Sequence, residues 1–231
     1  MHDDVKQAVC KANLELIHNG LVTLTFGNVS GRVPDEPLFA IKPSGVAYDQ
    51  LTPDQIVLVD FDGKVVEGDM RPSSDTPTHL ALYRAFDRIA GVVHTHSTHA
   101  TIFAQALRPI PCFGTTHADH FHGEIPVTRA MSREEINSDY ELNTGRVIVE
   151  RFEQGQMDPL TIPAALVASH GPFAWGPDPH MAVENAIALE EVARTALGTL
   201  TLEPDTTGIH RVLLDKHFLR KHGPGAYYGQ K

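Results

Sequence analysis

Apolar positions recur with two periods along the chain, and these periods predict helices alternating with strands. The segment 3–20 spaces its apolar residues three or four positions apart and ends on a glycine, which predicts an amphipathic helix. Further helices are predicted over 75–86, 98–107, 132–142, 178–197 and 209–223. Shorter apolar runs predict strands over 21–26, 38–45, 89–96 and 162–171, and a hairpin over 57–68.

The order of these elements predicts the fold class. Helices and strands are intermixed and neither half of the chain is self-sufficient, so we expect one α/β domain over residues 1–231. Asp62 and Gly63 mark the turn of the predicted hairpin, because this dipeptide suits the tight turns that join antiparallel strands. The sheet is therefore expected to be mixed or antiparallel, with helices on its faces.

Net charge limits the kinds of partner that the chain is expected to bind, and cysteine content indicates its compartment. The 231 residues carry a formal net charge of −10, which disfavours binding to nucleic acid or to an anionic membrane. The two cysteines, Cys10 and Cys112, show no pairing pattern, as in proteins of a reducing compartment. The acidic N-terminal segment lacks the apolar stretch of a signal peptide, and no apolar run approaches the length of a membrane span. We expect a cytoplasmic protein with no nucleic-acid or membrane partner.

Three histidines fall within the stretch GVVHTHSTHAT, directly after a short apolar run. Residues two apart in a strand point to the same face, so His94 and His96 should project together where the strand ends. Paired imidazoles suit a divalent metal such as Zn²⁺, although two hydrogen-bonded structural histidines would show the same spacing. His99 falls at the start of the next predicted helix and is expected to hydrogen-bond or pack.

Two further residues are candidates for the same metal. His170 lies at the end of the predicted strand 162–171, just before a glycine. Asp75 lies on a turn before a predicted helix, where it could supply an oxygen ligand or simply cap the helix. Each residue alone is more often structural, but their shared position at the ends of apolar segments favours one metal site.

Three Gly- and Ser-rich turns, 25–31, 42–45 and 71–75, each follow an extended segment. Such turns expose backbone N–H groups and hydroxyls that can hold a phosphate, and Lys42 would add positive charge. The chain has neither G-x-x-x-x-G-K-[ST] nor G-x-G-x-x-G between a strand and a helix, which argues against a nucleotide or nicotinamide cofactor. A metal beside a phosphate site indicates a phosphorylated sugar or polyol as substrate, with the metal polarising a carbonyl.

Several stretches along almost the whole chain carry a resemblance to a known family: LVTLTFGNVSGR, IKPSGVAYDQ, RPSSDTPTH, GVVHTHSTHAT, GTTHADHFHGEIPVTR, SHGPFAWG and LRKHGPGAYYGQK. Together they resemble the L-ribulose-5-phosphate 4-epimerases of the class II aldolase/epimerase superfamily. The resemblance implies a central, largely antiparallel sheet flanked by helices. It also implies conversion of L-ribulose 5-phosphate to D-xylulose 5-phosphate, and a cyclic homotetramer with active sites between subunits.

The same resemblance implies roles for individual residues. One divalent metal per chain, usually Zn²⁺, would be held by Asp75, His94, His96 and His170. Catalytic acid/base roles would fall to Asp119 and Tyr228. Contacts to the substrate or its phosphate would come from Gly27, Asn28, Lys42, Ser44, Gly45, Ser73 and Ser74.

The implied reaction needs two acid/base groups. The C4 proton is not adjacent to the C2 carbonyl, so enolisation cannot invert C4, and the chain has no nicotinamide fingerprint for an oxidation. Cleavage and re-formation of the C3–C4 bond is the route that is left. Because rotation of the aldehyde fragment moves the C4 oxygen, one acid/base group cannot easily serve both orientations.

Two departures and two alternatives accompany this interpretation. Phe26 stands where the family usually has tryptophan, and His120 stands where it usually has tyrosine, beside Asp119 whose proton affinity it could change. An L-fuculose-phosphate type aldolase of the same superfamily would carry glutamate as a base at the position of Asp75. A non-catalytic scaffold like the adducin head would lack the metal ligands.

Overall fold

Seven strands form the centre of the molecule, and every neighbouring pair of strands is antiparallel. The structure is a computed structural model that describes residues 2–229. Within that range the strands are β1 (Asn28–Arg32), β2 (Leu38–Ile41), β3 (Val57–Asp60), β4 (Val65–Glu67), β5 (Gly91–His94), β6 (Ala164–Val167) and β7 (Gly171–Gly176). They lie in the order β4-β3-β2-β1-β5-β7-β6.

Helices cover both faces of this sheet. In residues 2–229 they are α1 (Asp3–His18), α2 (Thr76–Ala85), α3 (Thr98–Gln105), α4 (Thr115–Ala118), α5 (Arg133–Asn137), α6 (Tyr140–Gly155), α7 (Pro179–Leu202) and α8 (Arg211–His222). Two short 3-10 helices cover Tyr48–Gln50 and Pro53–Gln55. No helix in this range has the length and apolar content that crossing a lipid bilayer would need.

The two-residue period of β5 divides the core between the two faces. Val93 packs into the cluster formed with α1, α3 and α7, whereas Val92 packs into the cluster formed with α2 and α6. His94 follows on the same face as Val92, because alternate residues of a strand share a face. The end of β5 therefore presents His94 on the face that α2 and α6 cover.

The α/β class and the antiparallel sheet are confirmed, and most predicted elements are present. The hairpin has Gly63 in its turn with a φ of 83°, and a capping box of Ser132 and Glu135 begins α5. The predicted strand over 21–26 is wrong: this segment is a loop in which Leu24 has a φ of 55°. The structure also shows α6 and β7, which the sequence analysis did not predict as separate elements.

Glu190 on α7 replaces the missing cap of α3. Ser97 makes no side-chain capping bond, but the Glu190 carboxylate accepts from the backbone N–H groups of His99 at 2.9 Å and Ala100 at 3.0 Å. It also lies 2.7 Å from His99 Nδ1. His99 is thus a hydrogen-bonded residue at a helix start, as predicted.

Glu190→Gln should lower the free energy of unfolding by about 1–3 kcal/mol, because an amide NH₂ would face N–H donors that now bind a carboxylate. Glu184→Gln on the same helix is the matched control, since Glu184 is half exposed and only pairs with His180; it should change stability by less than about 0.5 kcal/mol. Urea unfolding of both variants measures this. Equal losses would show that the carboxylate does not act as the cap.

Candidate active site

His94 is buried at the end of β5 and is held on two sides. Its Nδ1–H donates to the Pro172 carbonyl at 3.0 Å, since a carbonyl oxygen can only accept. Its ring stacks on Phe173, with 4.2 Å between centroids and 15° between planes. These contacts leave the Nε2 lone pair free, and Nε2 lies 3.1 Å from His96 Nε2.

The pairing of His94 and His96 is confirmed, but the reason differs from the prediction. The strand ends at His94, so strand alternation does not extend to His96. Thr95 is buried, and its N–H donates to the Pro172 carbonyl at 3.3 Å while His96 stays exposed. The chain therefore leaves the sheet at His94 and still places the two imidazoles side by side.

His170 completes a group of three imidazoles. It lies in the tight turn between β6 and β7, where its N–H donates to the Val167 carbonyl at 3.0 Å and Ser169 has a φ of 60°. One ring nitrogen from each of the three histidines lies within 4.8 Å of the other two. These three histidines were predicted as ligands from the ends of two apolar strands, 89–96 and 162–171, and the fold brings them together.

Electrostatics favour the neutral form of all three rings. Burial, with the charges that His170 and His96 would carry, holds the pKa of His94 well below its ordinary value. Desolvation lowers the pKa of His96 and of His170 as well, with Asp75 partly opposing both shifts. Neutral imidazoles with converging lone pairs are the donor set that Zn²⁺ binds, so these residues fit a divalent metal.

Asp75 lies beside this group at the start of α2. It occupies the N-cap position of the helix, but its side chain makes no capping hydrogen bond. Helix capping therefore does not account for the placement of its carboxylate. Its carboxylate instead accepts from Asn28 Nδ2 at 2.7 Å. Asn28 also donates to the Ser73 hydroxyl at 3.1 Å, and its own side-chain oxygen is buried with no partner in the described structure.

Two of the predicted phosphate turns pair with each other. The Ser44 N–H donates to the Arg71 carbonyl at 2.9 Å, and the Ser73 N–H donates to the Lys42 carbonyl at 3.0 Å. Gly45 has a φ of 70°, which favours glycine in this turn. The third predicted turn, 25–31, is only in part a loop, because residues 28–31 belong to β1, where Asn28 pairs with His94. Gly27, just before this strand, approaches the histidines closely: a Cβ on it would lie 2.7 Å from the His94 carbonyl oxygen.

Lys42 carries its charge into a buried environment. The residue is 2% exposed, its Nζ donates to the Val46 carbonyl at 2.7 Å, and it lies 4.7 Å from the ring centroid of Tyr48. Burial lowers the pKa of Lys42 to about 8. Among the described residues that line the cavity below, Lys42 is the only lysine or arginine.

All of these groups line one cavity of about 400 Å³. Its walls carry eleven of the thirteen residues that the resemblance implicated, together with five that it did not: Thr25, Phe26, Pro43, Tyr140 and Glu141. Phe26 is half exposed at its edge, with its ring centroid 6.0 Å from that of His96. The cavity thus places three histidines beside Ser- and Gly-rich turns and one lysine, and donors of these types suit a divalent metal and a phosphate group.

The remaining two predicted residues lie elsewhere. Neither Asp119 nor Tyr228 is among the described residues that line the cavity. Asp119 follows α4 and accepts from Arg220 through both oxygens, at 3.0 and 2.7 Å, with His217 Nδ1 3.1 Å away. The Arg220 guanidinium lies 4.9 Å from the Tyr228 ring centroid. Asp119 and Tyr228 therefore share a second cluster of their own, which we call the α8 cluster.

Sequence analysis missed the groups that control Asp119. Burial alone would raise the pKa of Asp119. Hydrogen bonds from Arg220 and His217 instead hold this pKa below its ordinary value, and Lys221 lowers it further. His120, the suspected neighbour, is itself affected: burial and Lys221 lower its pKa while Asp119 opposes. The stretch LRKHG contained Arg220, but no local pattern links it to a carboxylate about a hundred positions earlier.

Comparison with known proteins now decides the family. Residues 7–197 match the model of the class II aldolase and adducin N-terminal domain. The chain belongs to this family. Two curated relatives, the L-ribulose-5-phosphate 4-epimerases UlaF of Salmonella paratyphi A and Salmonella typhi, are each 57% identical over 227 residues, covering 98% of this chain and 99% of theirs.

Solved structures agree with this family membership. An L-fuculose 1-phosphate aldolase superposes with a TM-score of 0.78 at 25% identity, covering 93% of this chain and 94% of that one. YgbL from Klebsiella pneumoniae, titled a putative aldolase/epimerase/decarboxylase, superposes with a TM-score of 0.74 at 22% identity, covering 94% and 98%. The second likeness shows a shared fold.

Proposed function

We propose that this protein is a metal-dependent L-ribulose-5-phosphate 4-epimerase. The observation that carries the proposal is one cavity that is lined both by the three converging histidines and by the Ser- and Gly-rich turns. The near full-length similarity to the UlaF epimerases supports the choice of substrate. Inversion at C4 proceeds by cleavage of the C3–C4 bond, rotation of the aldehyde carbonyl, and re-formation of that bond.

The cavity offers groups that would bind the products of C3–C4 cleavage. A base takes the C4 hydroxyl proton as the C3–C4 bond breaks, which yields glycolaldehyde phosphate and the enediolate of dihydroxyacetone. The phosphate is bound by Ser44, Gly45 and Ser74 with the charge of Lys42, so the aldehyde does not escape while its carbonyl turns. Re-addition to its other face, with protonation of the new C4 oxygen, gives D-xylulose 5-phosphate.

The cofactor is one divalent ion per chain, and Zn²⁺ is our choice. His94, His96 and His170 would hold it, with Asp75 as the fourth ligand. When bound, such an ion supplies the positive charge that stabilises an enediolate. Asn28 orients Asp75 through the 2.7 Å hydrogen bond and contacts substrate through its unpartnered oxygen.

The acid/base groups, Asp119 and Tyr228, reach the cavity from a neighbouring subunit of a cyclic homotetramer. The support for this proposal is that both lie in the α8 cluster, away from the cavity of their own chain. The α8 helix also exposes three apolar side chains that a subunit contact would cover: Val212, Leu213 and Leu219. Residues 1–231 are proposed as one domain, because the described strands form one sheet and Leu214 of α8 packs against Cys112 and Ala118. Both cysteines are buried free thiols, in keeping with a cytoplasmic enzyme.

An assay with L-ribulose 5-phosphate and Zn²⁺-loaded protein tests the proposal. D-xylulose 5-phosphate should accumulate to equilibrium, and free dihydroxyacetone should stay a minor product. Stoichiometric release of dihydroxyacetone would identify an aldolase of the fuculose-phosphate type. Protein that binds no divalent ion and shows no turnover would favour the non-catalytic scaffold.

Substrate affinity should depend on pH through Lys42. Above pH 7 the phosphate monoester is already dianionic, so its charge no longer changes. With its pKa lowered to about 8, Lys42 is charged at pH 7 and largely neutral at pH 9. We expect KM to rise by up to about tenfold over this range. Lys42→Met should show a high KM that no longer varies with pH; retention of the wild-type profile in that variant would assign the titration to another group.

A further inference from the structure

The three imidazoles of the cavity are held with unequal firmness. His94 is buried between a carbonyl acceptor and the Phe173 ring. His170, by contrast, is half-buried and lies in a turn outside the sheet. Among the described residues, the one side-chain hydrogen bond of its imidazole joins Nδ1 to the Tyr140 hydroxyl at 3.4 Å. The two rings also lie face to face, with 30° between planes and 6.2 Å between centroids.

We propose that Tyr140 is the positioning residue for His170. The phenolic oxygen accepts from Nδ1–H, which selects the tautomer whose Nε2 carries a lone pair. His94 is set in the same way by the Pro172 carbonyl, so two of the three rings offer Nε2 to a metal. This inference rests on the metal-dependent function proposed above, and it assigns a role to a residue that the sequence pattern did not single out.

Tyr140 is well placed for this role because its backbone is fixed. It is the first residue of α6, and its carbonyl accepts from the Thr144 hydroxyl at 2.9 Å. The next carbonyl, of Glu141, accepts from the Thr78 hydroxyl of α2 at 2.5 Å. The two helices approach so closely that a Cβ on Gly145 would lie 2.6 Å from Ala81 Cβ. The start of α6 is thereby tied to α2, the helix that Asp75 precedes.

Because α2 and α6 pack together, the same pair of helices holds both Asp75 and Tyr140. The carboxylate at the start of α2 and the phenol at the start of α6 both line the cavity together with His170. A side chain on a packed helix restrains a ring on a turn better than the turn itself does. Because 3.4 Å is long for a hydrogen bond, the effect should lie at the low end of the 10- to 100-fold range known for such partners.

Tyr140→Phe removes the hydroxyl and keeps the ring. The dissociation constant for Zn²⁺, measured by competition with a chromophoric chelator, should rise by about tenfold. The absorption spectrum of the Co²⁺-loaded variant should also change, since the His170 ring is no longer oriented. The unfolding midpoint of the metal-free variant should equal that of the metal-free wild type.

Tyr83→Phe is the matched control, because its buried hydroxyl bonds Ser30 at 2.7 Å and touches no proposed ligand. It should leave Zn²⁺ affinity and the Co²⁺ spectrum unchanged. If wild type binds Zn²⁺ and Tyr140→Phe binds it equally well, the positioning role is overturned while the proposed function stands. A loss of affinity equal to that of the control, or one explained by a lower metal-free midpoint, would also overturn it. Wild-type protein that binds no divalent ion would remove the proposed function itself, and this inference with it.

Discussion

His96→Ala should leave the protein without metal and without epimerase activity. Its Nε2 lies 3.1 Å from His94 Nε2, in the one group of histidine nitrogens that converge within residues 2–229. Removal of a partner outside the ligand set costs about 10- to 100-fold in metal affinity, so loss of a ligand should cost more than about 100-fold. Metal analysis of purified protein should fall from about one ion per chain to near zero.

His99→Ala is the control for this experiment. His99 lies three residues further along the same stretch, and its ring bonds Glu190 rather than the cavity groups. It should keep both its metal and its activity, although the free energy of unfolding should fall by about 1 kcal/mol through the lost hydrogen bond. Equal metal loss in the two variants would contradict the ligand assignment. Retention of metal by His96→Ala would leave the three-histidine site without support.

Much of the cavity could be predicted because its residues lie at the ends of predicted strands and helices or in Gly- and Ser-rich stretches. His94 ends a strongly apolar strand, and Asp75 precedes a helix, so both lie where elements end and side chains meet. The stretches 42–45 and 71–75 are Gly- and Ser-rich and lie in turns as predicted, whereas most of 25–31 is strand β1. What the pattern lacked was the reason for the His94–His96 contact, which comes from the path of the chain after the strand ends.

The parts that could not be predicted depend on contacts between distant segments. Tyr140 reaches His170 across thirty positions, and Arg220 reaches Asp119 across a hundred and one. The loop over 21–26 was misread because its apolar and β-branched residues mimic a strand, yet Leu24 is 76% exposed with a positive φ. Tertiary placement decided this segment, since Gly27 must approach the His94 carbonyl.

Replacement of the two proposed acid/base residues, Asp119 and Tyr228, should bias the reaction towards opposite epimers. Offered dihydroxyacetone and glycolaldehyde phosphate, the wild-type enzyme should condense them slowly into both L-ribulose and D-xylulose 5-phosphates, because the aldehyde can present either face. Tyr228→Phe removes one proton donor, so one epimer should dominate. Asp119→Asn should favour the other epimer. Each variant should lose about 10²- to 10⁴-fold in the epimerisation rate.

The structure adds a distinction between these residues and supplies their controls. Hydrogen bonds from Arg220 and His217 outweigh burial and hold the pKa of Asp119 below its ordinary value, which favours its carboxylate form; we therefore expect Asp119 to act first as the base. Tyr227→Phe is the control for Tyr228, since the two neighbours are exposed to 58% and 60%. Asp215→Asn is the control for Asp119. Asp215 lies on α8 and pairs with His122, in the loop that follows α4, so it is a carboxylate at the same contact between α8 and that loop. Both controls should epimerise at the wild-type rate, and all four variants should keep their metal.

Loss of the same epimer in Tyr228→Phe and Asp119→Asn would place both groups on one face of the aldehyde, and His120, beside Asp119, would then be the first residue to test for the other face.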